Sequence, residues 1–485
     1  MVSKRISSAF QRGLILAAAL GLCRQSGLAG QDEDLDLIPD FISAAQPAAT
    51  PSPAAGGNSY KFFIEDEAQT NSRRHGVLLP LPDKYVPAWS NRFTFYGKAD
   101  IRLTPSLSLN IVDRFNHLSD MHSDFPSGVA QNDLNEAYLS WNAYREYYLD
   151  AGRINLKSGV AVGFNPTDFF KKNAISLRTS EDPIVLRENR LGTVMARAQG
   201  ILPFGTLTLA AAPEISDRPG RFITDRTSFA LALQRTNAYP RYLAKISSSY
   251  KAISSDLLYY RENCTSYLGA NVSRSIGDSF VFYGEWSGGR RHSLTTDALI
   301  YDAKLYGVDG AKYAYVVPGD SKRRFRNQAA AGFSYTESAR KRSTFVEYHY
   351  NEAGMTNKDW GNWFLAGYAE RLLDFPELAS VYDQVNTVLW SIRDYAQRNT
   401  EPITRQQLFI RNQWQEAFTK KLDLANLLQL NAADRSFFLQ SSAKYSLTDN
   451  LFLNLSVYFY AGPEHSEYGS INKWSAIKPG MTYLF

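Results

Sequence analysis

The stretch Arg92–Leu103, RFTFYGKADIRL, alternates apolar or small side chains with polar ones along its length. In an extended strand its odd-numbered residues, among them Phe93 and Phe95, share one face, and its even-numbered residues, among them Lys98 and Asp100, share the other. Burying such charges in hydrocarbon costs several kcal/mol each, so the two faces must meet different surroundings. The stretch therefore predicts a strand with one wet face and one apolar face.

The same alternation recurs along most of the chain after residue 90. It is clear in Leu268–Ser273, Phe280–Trp286, Phe437–Leu447 and Leu451–Tyr460. No segment after the amino-terminal region has the uninterrupted apolar run that a transmembrane helix needs. We therefore predict an all-β fold, a transmembrane antiparallel β-barrel over residues 91–485 with about 18 strands (roughly 16–20), whose polar faces line a wet lumen.

The composition agrees with this fold. A mean hydropathy of -0.32 is low for a membrane protein, yet the chain carries 29 Tyr and 28 Phe among its 485 residues. A barrel accounts for both values, because only alternate strand residues meet lipid and aromatic girdles mark the two interfaces. The net charge of +5 is small for this length, and no segment has the pattern of a nucleic-acid-binding module.

The amino terminus carries an export signal. Lys4, Arg5 and Arg12 precede the apolar run Gly13–Leu22, which is too short to span a bilayer as a helix but suits a cleaved signal peptide. Small residues near position 29 predict a signal peptide over residues 1–29. Residues 30–90, which include an Ala/Pro-rich stretch, are expected to form a flexible periplasmic segment.

The connections between alternating runs differ in length. Short ones, such as Thr448–Asn450, are typical of periplasmic turns, whereas long ones are typical of extracellular loops. The long ones cover residues 117–133, 156–190, 287–325, 352–403 and 462–473. Within 352–403, apolar residues recur at helical spacing and predict an amphipathic helix over 380–396. Such a helix would plug the lumen, cap it or dock a partner, or, as we expect, only pack on the barrel rim.

The last strand carries a further signature. Met481, Tyr483 and Phe485 alternate onto one face and end in an aromatic residue. This pattern resembles the closing strand of bacterial outer-membrane β-barrel proteins of the porin-like kind. The resemblance implies that these three residues are a signal for the barrel-assembly machinery, and that the chain lies in the bacterial outer membrane.

Two groups of charged residues are candidate functional sites. Basic and acidic residues interleave in and beside the loop 156–190, and opposed charges of this kind can form a transverse field at a channel constriction. The alternative is a solvated, salt-bridged surface loop. The candidates to line the channel are Arg153, Lys157, Asp168, Lys171, Lys172, Arg178, Arg187 and Arg190.

A second group brackets the loop 287–325. The barrel topology places it near the outer leaflet, so we expect its cations to contact lipopolysaccharide phosphates, an anion funnel being the alternative. The group consists of Arg290, Arg291, Lys322, Arg323 and Arg324.

Catalytic signatures are weak. The sequence has no GxSxG elbow and no phosphate-cradling Gly-rich loop. A loop with His117, Asp120, His122 and Asp124 could bind a metal, but scattered polar loop residues are far more common than metal sites. We therefore expect no enzyme, no cofactor and no resident metal. The prediction is a porin-like channel for small hydrophilic or anionic solutes. The alternatives are a conduit for polysaccharide or other export that works with periplasmic partners, and a plugged structural or enzymatic barrel.

Overall fold

A computed structural model of the chain describes residues 57–74, 86–121, 129–144, 146–216, 231–306, 320–371 and 379–485. The signal peptide and most of the linker predicted after it lie outside the described residues. Within the described parts, no helix is both long and apolar enough to cross a membrane.

Eighteen strands form one closed sheet, as the sequence predicts. Each strand pairs antiparallel with its neighbours along the chain, and β1 pairs with β18 to close the cylinder. The strands are β1 (Ser59–Arg73), β2 (Trp89–Thr104), β3 (Leu107–Met121), β4 (Val129–Tyr144), β5 (Tyr147–Ile154), β6 (Thr193–Leu202), β7 (Gly205–Ala212), β8 (Arg241–Tyr250), β9 (Ile253–Glu262), β10 (Thr265–Ile276), β11 (Phe280–Arg291), β12 (Arg324–Glu337), β13 (Arg342–Asn351), β14 (Gln406–Trp414), β15 (Leu422–Asn431), β16 (Ser436–Ser446), β17 (Leu451–Ala461) and β18 (Lys473–Leu484).

The barrel begins earlier than the sequence pattern indicates. β1 lies within residues 30–90, the range assigned to a flexible segment, and it pairs with β2 and β18 along its length. Its outward positions run Tyr60, Phe62, Ile64 and then Asp66, whose carboxylate accepts a hydrogen bond from Asn91 on β2. The carboxylate at an outward position interrupts the apolar alternation, so the sequence pattern does not indicate a strand here. After β1 the chain forms 17 strands, one fewer than the 18 counted from residue 92 in the sequence. β1, which that count omitted, brings the total to 18.

One rim carries only short turns, and the long connections all lie at the other rim. Two-residue turns at 105–106 and 251–252 join β2 to β3 and β8 to β9, whereas the opposite rim carries the connections 155–192, 292–323 and 352–405. The loop predicted at 117–133 is shorter than expected, because β3 extends to Met121 and β4 begins at Val129. By the asymmetry of such barrels, the rim with the long connections is the extracellular one.

Five α-helices lie in the long connections among the described residues, and a 3-10 turn at Phe169–Lys171 lies in the connection 155–192. The α-helices are α1 (Pro183–Glu188), α2 (Leu233–Thr236), α3 (Leu294–Tyr306), α4 (Asn357–Arg371) and α5 (Ala379–Arg398). The helix predicted at 380–396 is confirmed as α5. Helices α3, α4 and α5 share an apolar core that includes Trp363, Leu389 and Ile392, all of which are fully buried.

The strand faces follow the predicted alternation. On β17, Leu453 and Leu455 are exposed on the outside of the barrel, while Ser456 shares a hydrogen bond of 2.9 Å with Ser442 and Asn454 donates one of 2.7 Å to Thr482. Exposed apolar side chains alternating with hydrogen-bonded polar ones are the pattern of a strand between lipid and a wet lumen.

Candidate constriction site

The connection between β5 and β6, residues 155–192, folds into the barrel, and we call it the inner loop. Two glutamates of the barrel wall hold its first part. Glu285 on β11 accepts hydrogen bonds from the backbone N–H groups of Val160 (2.9 Å) and Ala161 (3.1 Å). Glu347 on β13 accepts hydrogen bonds from Val162 (2.6 Å) and Gly163 (2.9 Å). Backbone donors that would otherwise be unpaired are therefore satisfied by wall carboxylates.

Glycine permits this close approach. A Cβ atom at Gly163 would lie 2.7 Å from atoms of both His349 and Phe409 on the wall. Gly159 has a φ of +95°, and a Cβ atom there would lie 2.5 Å from a carboxylate oxygen of Glu285. Any larger side chain at either position would push the loop backbone away from the wall.

The rest of the inner loop reaches other parts of the wall. Ser176 donates a hydrogen bond of 2.6 Å to Asp133 on β4, and Lys478 on β18 donates one of 2.7 Å to the carbonyl of Thr179. Asp182 forms an ion pair of 2.9 Å with Arg411 on β14. Since β4, β11, β14 and β18 lie at different places around the cylinder, the loop crosses the lumen and is fastened at several points.

Asp182 also starts the short helix α1. Its side chain accepts a hydrogen bond of 3.0 Å from the backbone N–H of Ile184, and Pro183 occupies the first helical position, where no N–H is needed. The same carboxylate thus caps the helix and binds Arg411, which fixes the helix to the wall.

Asp168 is the centre of the charges that the sequence singles out in this loop. Arg190 contacts its two oxygens at 2.8 and 3.1 Å, and Arg187 lies 3.5 Å away. Burial alone would raise the pKa of Asp168, but the two guanidinium groups outweigh it and lower that pKa. The carboxylate therefore stays ionised and offsets part of the charge of both arginines.

Lys171 and Arg178 face the carboxyl end of helix α5. Lys171 donates to the carbonyls of Asn165 (2.8 Å) and Thr400 (3.3 Å), and Arg178 donates to the carbonyl of Gln397 (3.5 Å) while pairing with Glu181. Cations near a helix carboxyl terminus are stabilised by its partial negative charge. Burial lowers the pKa of Lys171 to about 8.

Three of the predicted channel-lining residues lie outside the cluster around Asp168. Arg153 is buried at the end of β5 and donates to the carbonyls of Gly192 (3.0 Å) and Leu231, so it braces the base of the loop. Lys157 pairs with Glu188 at 2.5 Å, and Lys172 pairs with Glu262 on the β9 wall at 2.7 Å. These three are engaged by the loop base or the wall.

The remaining five, Asp168, Lys171, Arg178, Arg187 and Arg190, border one cavity of about 160 Å³. It lies between the inner loop and the described parts of the connections 352–405 and 462–472, which we call the cap. The cap contributes further charged groups, namely Arg393 from α5, Glu401 from the segment after it and Glu467 from the connection between β17 and β18. With Glu181, the cavity is bordered by five cations and four carboxylates.

Helix α5 rests on the inner loop rather than on the rim alone. The backbone N–H of Asn173 donates a hydrogen bond of 3.1 Å to the carbonyl of Arg398, beside the contacts from Lys171 and Arg178. The expectation that the helix merely packs on the barrel rim is wrong. The last backbone carbonyls of α5 have no partners within the helix, and donors of the inner loop bind them inside the barrel.

Arg393 is held by three indole rings. Its guanidinium carbon lies 5.0 Å from the ring centroid of Trp360, 4.9 Å from that of Trp363 and 5.0 Å from that of Trp390, and it donates a hydrogen bond of 2.6 Å to Ser470. Burial lowers its pKa to about 10, so the group remains charged at neutral pH.

Glu467 faces the same cavity and is itself buried. It accepts hydrogen bonds from Asn431 (3.1 Å) and Thr404 (3.4 Å), and burial raises its pKa to about 7 even though Arg393 acts in the opposite direction. Part of the negative charge at the cavity is therefore absent near neutral pH.

Several of these groups could not be chosen from the sequence. Glu285 and Glu347 look like ordinary lumen-facing strand residues, and Arg393 belongs to a segment whose only visible signal is helical spacing. One clue was available for the glutamates. A carboxylate on the wet face of a strand needs hydrogen-bond donors, and a long Gly-containing loop can supply them from its backbone.

The five predicted rim cations do not share one environment. Arg291 is buried and pairs with Asp297 (3.1 Å) and Glu401 (3.0 Å), so it faces inward and cannot contact lipopolysaccharide. Arg324 pairs across the sheet with Arg291, which gives it the inward parity, and it binds Asp320 at 3.3 Å. Arg290, Lys322 and Arg323 are exposed, and so is the side chain of Arg324 at the open end of the barrel.

Solved structures resembling the chain have low sequence identity to it. Acinetobacter baumannii OccAB1 is 9% identical with a TM-score of 0.50, and the match covers 90% of this chain and 99% of that one. Pseudomonas aeruginosa OccK5 (OpdH) is 8% identical with a TM-score of 0.46, over 88% and 98%. A triple mutant of Rhodopseudomonas blastica porin is 8% identical with a TM-score of 0.37, over 88% and 100%.

No protein-family model and no curated protein sequence matches the chain. The likeness to OccAB1 concerns the fold alone, and it agrees with the closed antiparallel sheet of 18 strands.

Proposed function

We propose that the chain is an outer-membrane channel for small hydrophilic solutes, that the inner loop narrows its lumen, and that its constriction favours anions. The observation that carries the proposal is the position of this loop. It lies inside the cylinder, is fastened to the wall at several points, and presents charged side chains to a cavity.

The preference for anions rests on the balance of paired and unpaired charge. Among the described residues, no carboxylate lies within ion-pair distance of Lys171 or Arg393, although both border the cavity. Asp168, by contrast, is shared between two arginines. An anionic group entering the cavity would meet two cations whose charge is not offset by a direct partner, and in a confined site that attraction is screened less than in bulk water.

The same proposal implies that the protein lies in the bacterial outer membrane. The outer leaflet would contain the extracellular rim, and a cleaved signal peptide over residues 1–29 would direct export. Met481, Tyr483 and Phe485 are all exposed on the outside of the barrel, which suits a signal read by the barrel-assembly machinery. The linker that motivates the alternative of an export conduit lies outside the described residues.

Planar-bilayer recordings of the purified protein test the channel. We expect single-channel steps and a reversal potential that favours anions in a salt gradient. Lys171→Glu should shift that potential towards cations, because it reverses a charge at the cavity. The matched control is Lys420→Glu, the same change at an exposed turn of the opposite rim. Equal shifts in the two variants would contradict a constriction at the inner loop.

A plugged barrel is the second candidate, favoured by the contact of α5 with the inner loop. Three groups of the loop donate to the last carbonyls of α5 and the segment after it, so the cap and the loop form one layer across the lumen. A parent protein that never conducts, but conducts when residues 379–398 are deleted, would favour this candidate.

A further inference from the structure

A basic patch lies on the lipid-facing side of the extracellular rim, across strands β9 to β12. It consists of Arg261 on β9, Arg290 on β11 and Arg323 just before β12, and all three side chains are exposed. Tyr242 on β8 and Phe325 on β12 border it and are 51% and 49% exposed. We call these five residues the rim patch. None of the three arginines belongs to the inner loop or borders its cavity.

Strand parity places Arg261 and Arg290 of the patch on the lipid-facing side. Along β11, Arg290 shares its face with Phe280 and Phe282, which are exposed on the outside of the barrel. Along β9, Arg261 shares its face with Leu257 and Tyr259, which are also exposed. The two arginines thus continue the apolar outer surface to its edge.

The depth of Arg290 can be derived from the strand. Ten residue steps separate it from Phe280, which lies at the short-turn rim. At about 3.3 Å per residue and a tilt of about 40°, the two lie about 25 Å apart along the barrel axis, the usual height of the apolar band of such barrels. With Phe280 in the inner girdle, Arg290 reaches the level of the outer-leaflet headgroups.

The arginines are close enough to act on one ligand. Arg261 pairs with Ser266 on β10, and the adjacent Tyr267 pairs with Gly289 on β11. Arg261 and Arg290 are therefore two strands apart at nearly one level, about 10 Å by the strand spacing. Arg323 lies against β10 and β11 at the same rim, because its guanidinium donates to the carbonyl of Arg290 (3.0 Å) and to the hydroxyl of Thr265 on β10 (2.7 Å).

The charge of the patch has little compensation. Near the extracellular rim, the outward-facing positions of the described strands β8 to β12 carry no carboxylate; Glu337, on the outer face of β12, lies at the opposite rim. Among the described residues, Arg290 has no ion-pair partner, and Arg261 donates only to the carbonyl of Asn263, at 3.1 Å. Below Arg290, the ring of Phe325 lies so close to Gly288 that a Cβ atom there would be 2.5 Å from it. A cationic layer thus stands directly above an apolar surface.

We propose that the rim patch binds a phosphate-bearing lipid of the outer leaflet, the lipopolysaccharide, with its phosphate at Arg290 and Arg323 and its acyl chains against Phe325 and the apolar surface below. Guanidinium groups bind phosphate by charge-assisted hydrogen bonds, which are strong where water is partly excluded. The apolar surface beneath distinguishes this lipid from a soluble phosphate, since only an amphipathic ligand uses both parts of the site.

The test is binding of bisphosphorylated lipid A to the purified full-length barrel, measured by native mass spectrometry. Dephosphorylated lipid A and inorganic phosphate are the comparison probes. The variant Arg290→Gln/Arg323→Gln should bind bisphosphorylated lipid A about tenfold more weakly, as expected for the loss of charge-assisted contacts. The control Arg340→Gln/Lys420→Gln makes the same charge change at the opposite rim and should bind as the parent does.

Parent-like binding by the rim variant would overturn the proposal, as would equal losses in the rim and control variants. Equal affinity of the parent for phosphorylated and dephosphorylated lipid A would also overturn it, and so would displacement of lipid A by millimolar inorganic phosphate. If the double variant does not assemble, Arg290→Gln and Arg323→Gln are measured singly by the same criteria. Single-channel conductance should be unchanged, because the patch lies outside the lumen.

Discussion

The carboxylate of Glu285 accepts two hydrogen bonds from Thr167, one from its backbone N–H at 2.7 Å and one from its hydroxyl at 2.8 Å, both on the same oxygen. The other oxygen of Glu285 accepts from Val160 and Ala161. One wall side chain therefore fastens the inner loop at two points that lie several residues apart.

Glu285→Gln should loosen this attachment. An amide keeps one acceptor oxygen but directs its NH₂ group at two donors of the loop, which leaves them unpaired. We expect the free energy of unfolding to fall by about 2–4 kcal/mol. Hydrogen exchange of residues 158–168, measured by mass spectrometry, should become faster. Glu337→Gln, in an exposed pair with Arg340 at the short-turn rim, is the control and should leave that exchange unchanged. Unaltered exchange in Glu285→Gln would show that the carboxylate does not hold the loop.

Ion selectivity should depend on pH through two groups of the cavity. Glu467, with a pKa raised to about 7 by burial, changes from neutral to negative as the pH rises. Lys171, whose pKa burial lowers to about 8, changes from positive to neutral as the pH rises further. Both changes make the cavity more negative, while Arg393, with a pKa of about 10, stays charged. Anion preference should therefore fall between about pH 6 and about pH 9.

Reversal potentials in a fixed salt gradient measure this effect. Glu467→Gln should remove the part of the change near pH 7, and Lys171→Gln the part near pH 8. An anion preference that rises with pH, or that is flat in the parent, would contradict the assignment of these two groups to the ion path.

Arg393 should stabilise the cap through its planar guanidinium rather than its charge alone. Contacts with three indole rings are each worth about 0.5–2 kcal/mol, and an ammonium group cannot stack on them in the same way. Arg393→Lys should therefore increase proteolytic cleavage within residues 357–398 and change tryptophan fluorescence, although the net charge is kept. Arg340→Lys, at an exposed site on the opposite rim, is the matched substitution. Identical cleavage in both variants would mean that the indole contacts contribute nothing measurable.

Most of the barrel could be predicted from sequence because a strand between lipid and water has a local signal. The alternation along β17 follows from its own residues and needs no knowledge of its neighbours. β1 escaped detection because Asp66 occupies an outward position and is satisfied by Asn91 on another strand. That compensation is a tertiary contact, which the local pattern cannot contain.

The candidate site, too, could be predicted from the sequence only in part. The inner loop could be recognised from its length and its interleaved charges, and five of its predicted residues border the cavity. Which charges are neutralised could not be predicted, since Lys172 meets Glu262 of the wall, whereas Lys171 meets carbonyl groups and the ring of Phe164. Arg393 and Glu467 join the site only because the cap folds over the loop. Pairing between distant segments depends on the closed fold, not on spacing along the chain.

A pair of adjacent positions on β17 tests the assignment of the two faces. Leu455 is 43% exposed on the outside of the barrel, whereas the hydroxyl of Ser456 lies 2.9 Å from that of Ser442 within it. Leu455→Arg should lower the free energy of unfolding by about 2–4 kcal/mol, the cost of an arginine near the middle of the lipid-facing surface. Ser456→Arg should cost much less, because its guanidinium can be hydrated in the lumen.

Urea unfolding in lipid vesicles measures both losses of stability, with heat-modifiable migration as the check on assembly. The two variants carry the same charge and side-chain volume at neighbouring residues, so only the face differs. Equal losses of stability would overturn the face assignment and the register of this hairpin with it.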